Sequence, residues 1–101
     1  MRALVLLAFL AGCNSGSRVD DILTLTGDAT NGAAVYEENC ASCHAADGSG
    51  GIGPSMQGIV AEEGPEEVVD VILEGEDSMP SFSDLADQDI ADVVAYLESA
   101  F

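Results

Sequence analysis

The sequence predicts an all-α fold in a single small domain, and three observations lead to this prediction. The chain has 101 residues, which is enough for one domain. Apolar residues recur at helical spacing in two stretches, 65–73 and 90–101. Asp28 is a good N-cap for a further helix that runs to about Asn39. These three segments are the main helices, and loops containing glycine and proline connect them.

The first twelve residues predict an export signal. Met1 and Arg2 are followed by the apolar run 3–12, which is too short to span a bilayer as a helix. The alternative is that this run forms a buried helix of the folded domain. That alternative is disfavoured because the run is followed directly by a cysteine and then by a polar segment.

The end of the apolar run indicates a lipid anchor. Residues 10–13, Leu-Ala-Gly-Cys, resemble the lipobox of bacterial lipoproteins. The resemblance implies that residues 1–12 are a signal peptide and that Cys13 becomes the first residue of an exported lipoprotein. Its acyl chains would hold the protein on a membrane, facing the periplasm or the cell exterior. A free or disulfide-bonded Cys13 is the alternative.

Residues 13–26 are expected to form a lipid-anchored tether followed by an extended arm. Residues 14–19 are mostly small and polar, which is typical of a flexible tether. Ile22 and Leu25 are too apolar for a free linker, so we expect an extended arm that lies against the domain. The folded domain is then residues 27–101.

Residues 40–44 have the pattern Cys-x-x-Cys-His, which predicts the attachment site of a covalently bound c-type haem. On a helix, Cys40 and His44 lie one turn apart and Cys43 lies next to them, so two thiols and an imidazole share one side. The thiols are suited to thioether links with the haem, and the imidazole is suited to its iron. Gly32 lies on the same helical stripe and predicts that another helix crosses closely there.

Other interpretations of this motif are a disulfide, a redox-active thiol pair or half of a zinc site. Zinc would need further ligands, and outside the motif the chain has only Cys13 and no other histidine. A thioredoxin-like thiol pair requires a βαβ context, whereas the surrounding pattern is helical. The histidine that adjoins the second cysteine therefore favours haem.

Two loops are expected to enclose the haem. Residues 45–54 are rich in glycine and are suited to wrap closely around its edge. The two loops are separated by a helix that has Pro65 in its first turn and ends at Gly75. Residues 78–82 contain Met79, whose thioether is a soft ligand suited to haem iron. By spacing alone a methionine is usually core filler, but the haem motif upstream makes Met79 the predicted sixth ligand.

The last helix is predicted to run from about Asp87 to Ala100. Its apolar face consists of Ile90, Val93, Val94, Leu97 and Phe101. Asp89 and Asp92 fall off this face, so they are expected to face water.

Residues 27–98 resemble a class I c-type cytochrome of the small bacterial kind. The resemblance rests on the haem motif and on Gly32, Tyr36, Gly53-Pro54, Gly75, Met79-Pro80-Ser81-Phe82 and Ala95-Tyr96-Leu97. It implies the cytochrome c fold, in which three main helices and their loops surround one covalent haem c. The first and last helices of that fold cross each other.

The resemblance also implies a role for each site residue. Cys40 and Cys43 form the thioether links, His44 is the proximal iron ligand and Met79 is the distal one. Two further residues lie in the loop between these ligands. Pro54 offers its carbonyl to the ring N–H of the proximal histidine, which fixes the imidazole. Met56 stands where the family usually has leucine, so it is assigned to packing against the haem.

The charge of the chain limits its partners. Nineteen acidic residues oppose two arginines and no lysine, for a formal net charge of -17. Nucleic acid is excluded as a partner because its phosphates would be repelled. The acidity fits either a redox partner with a basic docking surface or an environment of high salt, and the sequence does not separate the two.

These features together predict a membrane-tethered monohaem protein that carries one electron and is not an enzyme. Two filled axial positions, His44 and Met79, suit this task because a His/Met pair favours the reduced state. The alternative is a haem protein whose distal ligand is labile and which senses gases or reduces peroxide.

Overall fold

The computed structural model describes residues 15–101, and this part of the chain is all-α. Its helices are α1 (Ser15–Leu23), α2 (Ala29–Asn39), α3 (Ala41–His44), α4 (Ile59–Glu63), α5 (Pro65–Glu74) and α6 (Asp87–Ala100). Within the described residues there is no strand, and an isolated bridge joins Glu76 to Met79. The all-α prediction is confirmed. The predicted signal peptide and Cys13 lie outside the described residues.

The ends of the predicted helices carry the local signals that the sequence indicated. The Asp28 side chain caps α2 by accepting a hydrogen bond of 2.9 Å from the backbone N–H of Thr30. Pro65 lies in the first turn of α5, and Gly75 ends that helix with a φ of 78°. The short helix α4 was not predicted, because five residues are too few for a periodic pattern.

Helices α2 and α6 cross at Gly32, as predicted. A Cβ atom placed on Gly32 would overlap the backbone oxygen of Asp92 and would lie 2.9 Å from the Cβ of Tyr96. Gly27 makes a second close approach, to the backbone oxygen of Ala91. Glycine at both positions therefore lets the two backbones touch. Ile90, Val93, Val94 and Leu97 of α6 are buried against this crossing and the rest of the core.

The prediction that Asp92 faces water is wrong, because this residue is buried. Only 3% of the residue is exposed. Its carboxylate accepts hydrogen bonds from the Asp28 backbone N–H at 2.7 Å, from Asn31 at 2.8 Å and from Gln88 at 2.8 Å. Burial by itself raises the pKa of this carboxyl group, but the three donors outweigh it and hold the pKa below its usual range. Asp92 therefore ties the start of α2 to α6.

The N-terminal segment also differs from the prediction. Most of the region predicted to be a tether and an extended arm, 13–26, is the helix α1, which packs against α5 and α6. Val19 and Ile22 are buried because they lie three residues apart, on one face of that helix. The small polar residues in 14–19 resembled a linker, but burial of this face stabilises a helix instead.

None of the helices within residues 15–101 is both long enough and apolar enough to cross a membrane.

Candidate haem site

The predicted site residues line one cavity of about 750 Å³. They are Cys40, Cys43, His44, Pro54, Met56 and Met79. Apolar side chains from α5, α6 and the segment between them supply much of the remaining wall, including Val68, Ile72, Phe82, Val93 and Leu97. The cavity therefore combines a set of sulfur and nitrogen donors with an apolar lining.

The helical turn α3 brings the motif side chains together. Cys40 ends α2, and its carbonyl accepts the backbone N–H groups of Cys43 at 3.2 Å and His44 at 3.0 Å. Neither cysteine forms a disulfide, so both are available for thioether links. Burial, followed by the charge of Cys43, raises the pKa of the Cys40 thiol to about 11. The Cys40 thiol is consequently protonated at neutral pH before any haem is attached.

His44 has one ring nitrogen occupied by the protein. The residue is 7% exposed, and its Nδ1 lies 2.7 Å from the carbonyl oxygen of Pro54. Because a carbonyl only accepts, this contact assigns the proton to Nδ1 and leaves the Nε2 lone pair for a metal. The contact between His44 and Pro54 that the family resemblance implied is thus present in the structure.

The proximal loop, which we define as residues 45–58, folds directly onto this imidazole. The backbone N–H of Gly53 donates to the carbonyl of Cys43 at 2.8 Å, and that of Gly50 donates to the carbonyl of His44 at 2.9 Å. A Cβ atom on Gly53 would lie 2.7 Å from His44 Cε1. Glycine is required at position 53 because backbone and imidazole are in contact there.

Tyr36 contributes to the proximal side, a role that the sequence did not reveal. Its hydroxyl donates to the carbonyl of Ala45 at 2.6 Å, and its ring contacts Tyr96 and Phe101 at centroid distances of 5.5 and 5.4 Å. The pKa of Tyr36 is raised to about 12, mainly by burial and then by the charges of Cys40, Tyr96 and Asp47. Tyr36 therefore remains a hydrogen-bond donor to the proximal loop throughout the neutral range.

The distal segment, which we define as residues 79–87, starts from a tight turn. The backbone N–H of Met79 donates to the carbonyl of Glu76 at 2.8 Å, and the N–H of Glu76 donates back at 3.1 Å. Near the end of α5, the carbonyl of Ile72 accepts a hydrogen bond of 2.8 Å from the backbone N–H of Phe82. These bonds hold the half-buried Met79 at the cavity.

The cavity rim is acidic. Its exposed carboxylates are Glu62, Glu63, Glu67, Glu76 and Asp77, and no lysine or arginine among the described residues lines the cavity. Ile52, which is 87% exposed, lies at the same rim. A positively charged molecule is therefore attracted to this side of the domain.

The residues present fit a covalently bound haem. Two reduced thiols, an imidazole with a free Nε2 and a thioether line one cavity, and these are the groups that link and ligate a c-type haem. Met56 also lines the cavity and is half-buried among apolar neighbours. Within residues 15–101, no three His, Cys, Asp or Glu side chains are grouped so as to hold a metal ion by themselves.

Comparisons with known proteins agree with this fit. A model of the family described as cytochrome c oxidase, cbb3-type, subunit III matches residues 27–97. A cytochrome c-553-like protein from Synechocystis sp. is 33% identical over 98 residues, covering 96% of this chain and 90% of that protein. A cytochrome c6 from Cyanidioschyzon merolae is 34% identical over 77 residues, covering 69% of this chain and 72% of that protein.

The fold is also that of a solved relative. The structure of cytochrome c6 from the diatom Phaeodactylum tricornutum matches with a TM-score of 0.63 and 31% identity, over 73% of this chain and 95% of that one. The family match, the sequence relatives and this shared fold place the chain among the small monohaem class I c-type cytochromes, so it is an electron-transfer protein that carries one covalently bound haem c.

Proposed function

We propose that this cytochrome is a one-electron carrier with closed His/Met coordination, tethered to a membrane through Cys13. The observation that carries the proposal is that His44 and Met79 line the same cavity while Pro54 occupies the other ring nitrogen of His44. When bound, the haem supplies an iron that alternates between the ferrous and ferric states. Cys40 and Cys43 hold it through thioether links.

The other site residues act by holding these ligands in place. Pro54 fixes the plane of the His44 imidazole and makes it more basic, because its carbonyl accepts the Nδ1 proton. Met56 packs against the haem and is not a ligand in this proposal. Closed coordination suits an electron carrier, since neither axial ligand has to leave when the electron moves.

The acidic rim supports a redox partner with a basic docking surface. Exposed carboxylates surround the cavity that holds the haem. Long-range attraction between opposite charges raises the rate of encounter, and salt screens it. The rate of electron exchange with such a partner therefore falls as ionic strength rises.

Replacement of Met79 tests the axial ligand. We expect Met79→Ala to lower the reduction potential, to abolish the methionine-to-iron charge-transfer band of the oxidised protein and to admit CO to the reduced protein. Met56→Leu is the matched control, because it removes the other thioether of the cavity and should leave all three properties unchanged. The opposite pattern, with the band lost in Met56→Leu and kept in Met79→Ala, would assign the distal position to Met56.

The membrane tether depends on the lipidation proposed for Cys13. We expect the unchanged protein to sediment with membranes and Cys13→Ala to lose that association, because the acyl chains provide the anchor. Cell fractionation with detection of haem measures this directly. If Cys13→Ala remains in the membrane fraction, the anchor is elsewhere in the chain.

A further inference from the structure

Arg18 of α1 binds the distal segment through three nitrogen atoms of its guanidinium group. Its Nε donates to the carboxylate of Asp87 at 2.8 Å. Its two terminal nitrogens donate to the backbone carbonyls of Ser83 at 2.9 Å and Leu85 at 2.8 Å. One side chain thus fixes three points of the distal segment, the last of which is the first residue of α6.

These contacts join parts of the chain that are far apart in sequence. The separations between Arg18 and its three partners are 65, 67 and 69 residues. The chain has two arginines and no lysine, and the other arginine is Arg2. No other described side chain carries the positive charge and planar fork that can bind two carbonyls and a carboxylate together.

The distal segment has few other attachments. Two hydrogen bonds hold its first part to α5. The backbone N–H of Phe82 donates to the carbonyl of Ile72 at 2.8 Å. The hydroxyl of Ser81 donates to the carbonyl of Leu73 at 2.5 Å. Beyond Phe82, the chain turns back through residues 83–86, which are exposed or half-buried, before α6 begins. The N-cap residue of α6 is Ala86, which has no side chain that could cap the helix. The hydrogen bonds of Ser83 and Leu85 to Ser81 and Phe82 are local to this segment, so Arg18 supplies the hydrogen bonds that join it to α1.

We propose that Arg18 is a positioning residue for the distal ligand: by holding residues 83–87 against α1, it restrains the distal segment and opposes the departure of Met79 from the iron. The proposal rests on the proposed function, in which Met79 is that ligand. Met79 leaves the iron more easily when this segment is free to move away from the cavity. Any such movement that extends past Phe82 breaks the contacts with Arg18, of which those to Leu85 and Asp87 are part-buried and all three have a charged donor.

Imidazole added to the oxidised haem protein measures this restraint, because it binds the iron only when Met79 has left. We expect Arg18→Gln to bind imidazole about tenfold more tightly in apparent affinity, which corresponds to ~1.4 kcal/mol. Arg18→Lys should give an intermediate increase, since it keeps the charge but loses the fork. The loss of the methionine-to-iron band with imidazole concentration provides the titration.

Two controls separate this effect from a general loss of stability. Ile22 also lies on α1 and is only 1% exposed. Ile22→Val therefore weakens the packing of this helix without removing a hydrogen bond to the distal segment. It should lower the free energy of unfolding and leave the imidazole affinity unchanged. Asp20→Asn alters an exposed charge on α1 and should change neither quantity.

The outcomes distinguish this inference from the proposed function. If the unchanged protein has a methionine-to-iron band and Arg18→Gln binds imidazole with unchanged affinity, the inference is wrong and the proposed function stands. The inference is also wrong if Ile22→Val raises the affinity as much as Arg18→Gln does. If the unchanged oxidised protein lacks the band altogether, the His/Met ligation and this inference are both overturned.

Discussion

Replacing Gly32 with alanine is expected to destabilise the folded cytochrome by about 3 kcal/mol, at the upper end of the usual cost of overpacking. The new methyl group would overlap the backbone oxygen of Asp92 and would lie 2.6 Å from the Asp92 carbonyl carbon. Backbone atoms cannot rotate aside as a side chain does, so α2 and α6 have to separate. That separation also strains the hydrogen bonds from Asp28 and Asn31 to Asp92.

Chemical denaturation of the haem protein measures the free energy of unfolding. The control is the reverse substitution, alanine to glycine, at a nearby position. Ala34 is an exposed residue of the same helix, and Ala34→Gly should cost about 1 kcal/mol through helix propensity alone. Propensity alone would make Gly32→Ala stabilising by a similar amount. An increase in the free energy of unfolding of Gly32→Ala would therefore contradict the close crossing of α2 and α6.

Replacing Gly53 with alanine is expected to raise the reduction potential by about 60 mV, the equivalent of a tenfold change in a one-electron equilibrium. The added methyl group would lie 2.7 Å from Cε1 and 3.0 Å from Nδ1 of His44. The proximal loop must withdraw, and Pro54 then loses its hydrogen bond with the imidazole. A less basic imidazole stabilises ferric iron less, so the ferrous state gains.

The control for Gly53→Ala is the same substitution at a glycine remote from the imidazole. Gly64 has a φ of 90°, and a methyl group added to it would meet no atom within 4 Å beyond its chain neighbours. Gly64→Ala should lose stability, because alanine is strained at that φ, but should keep the potential of the unchanged protein. Potentiometric titration of the three proteins makes the comparison. A potential for Gly53→Ala equal to that of Gly64→Ala would show that Pro54 does not tune the iron.

The features that the sequence predicted well are those with local signals. The N-cap Asp28, the helix breaker Gly75 and the spacing of Cys40, Cys43 and His44 each fix structure within a few residues. These local signals suffice to place α2 and α5, whereas the separate short helix α3 at the haem motif was not predicted. The close contact at Gly32 was also predicted, because a glycine within a helix is costly unless another element packs against it.

The features that the sequence did not reveal depend on contacts between distant residues. Helix α1 contains glycine, serine and aspartate, which are typical of a linker. Its helical structure depends on the burial of Val19 and Ile22 and on the contacts of Arg18 with residues far along the chain. Two of the three hydrogen-bond partners of Asp92 lie 61 and 64 residues earlier in the chain, and periodicity alone assigns an aspartate beside an apolar stripe to the surface. The contact between Pro54 and His44 was implied by the family resemblance and has no signature in helical spacing.

The most direct test of a closed His44/Met79 electron carrier is the absorption spectrum of the purified protein in both oxidation states, with and without CO. We expect a covalently bound, low-spin haem with a methionine-to-iron charge-transfer band when oxidised, and no spectral change when CO is added to the reduced form at modest concentration. A high-spin spectrum that changes at once with CO would contradict closed coordination and favour a labile distal site. A protein without covalent haem would contradict both the haem site and the function proposed for it.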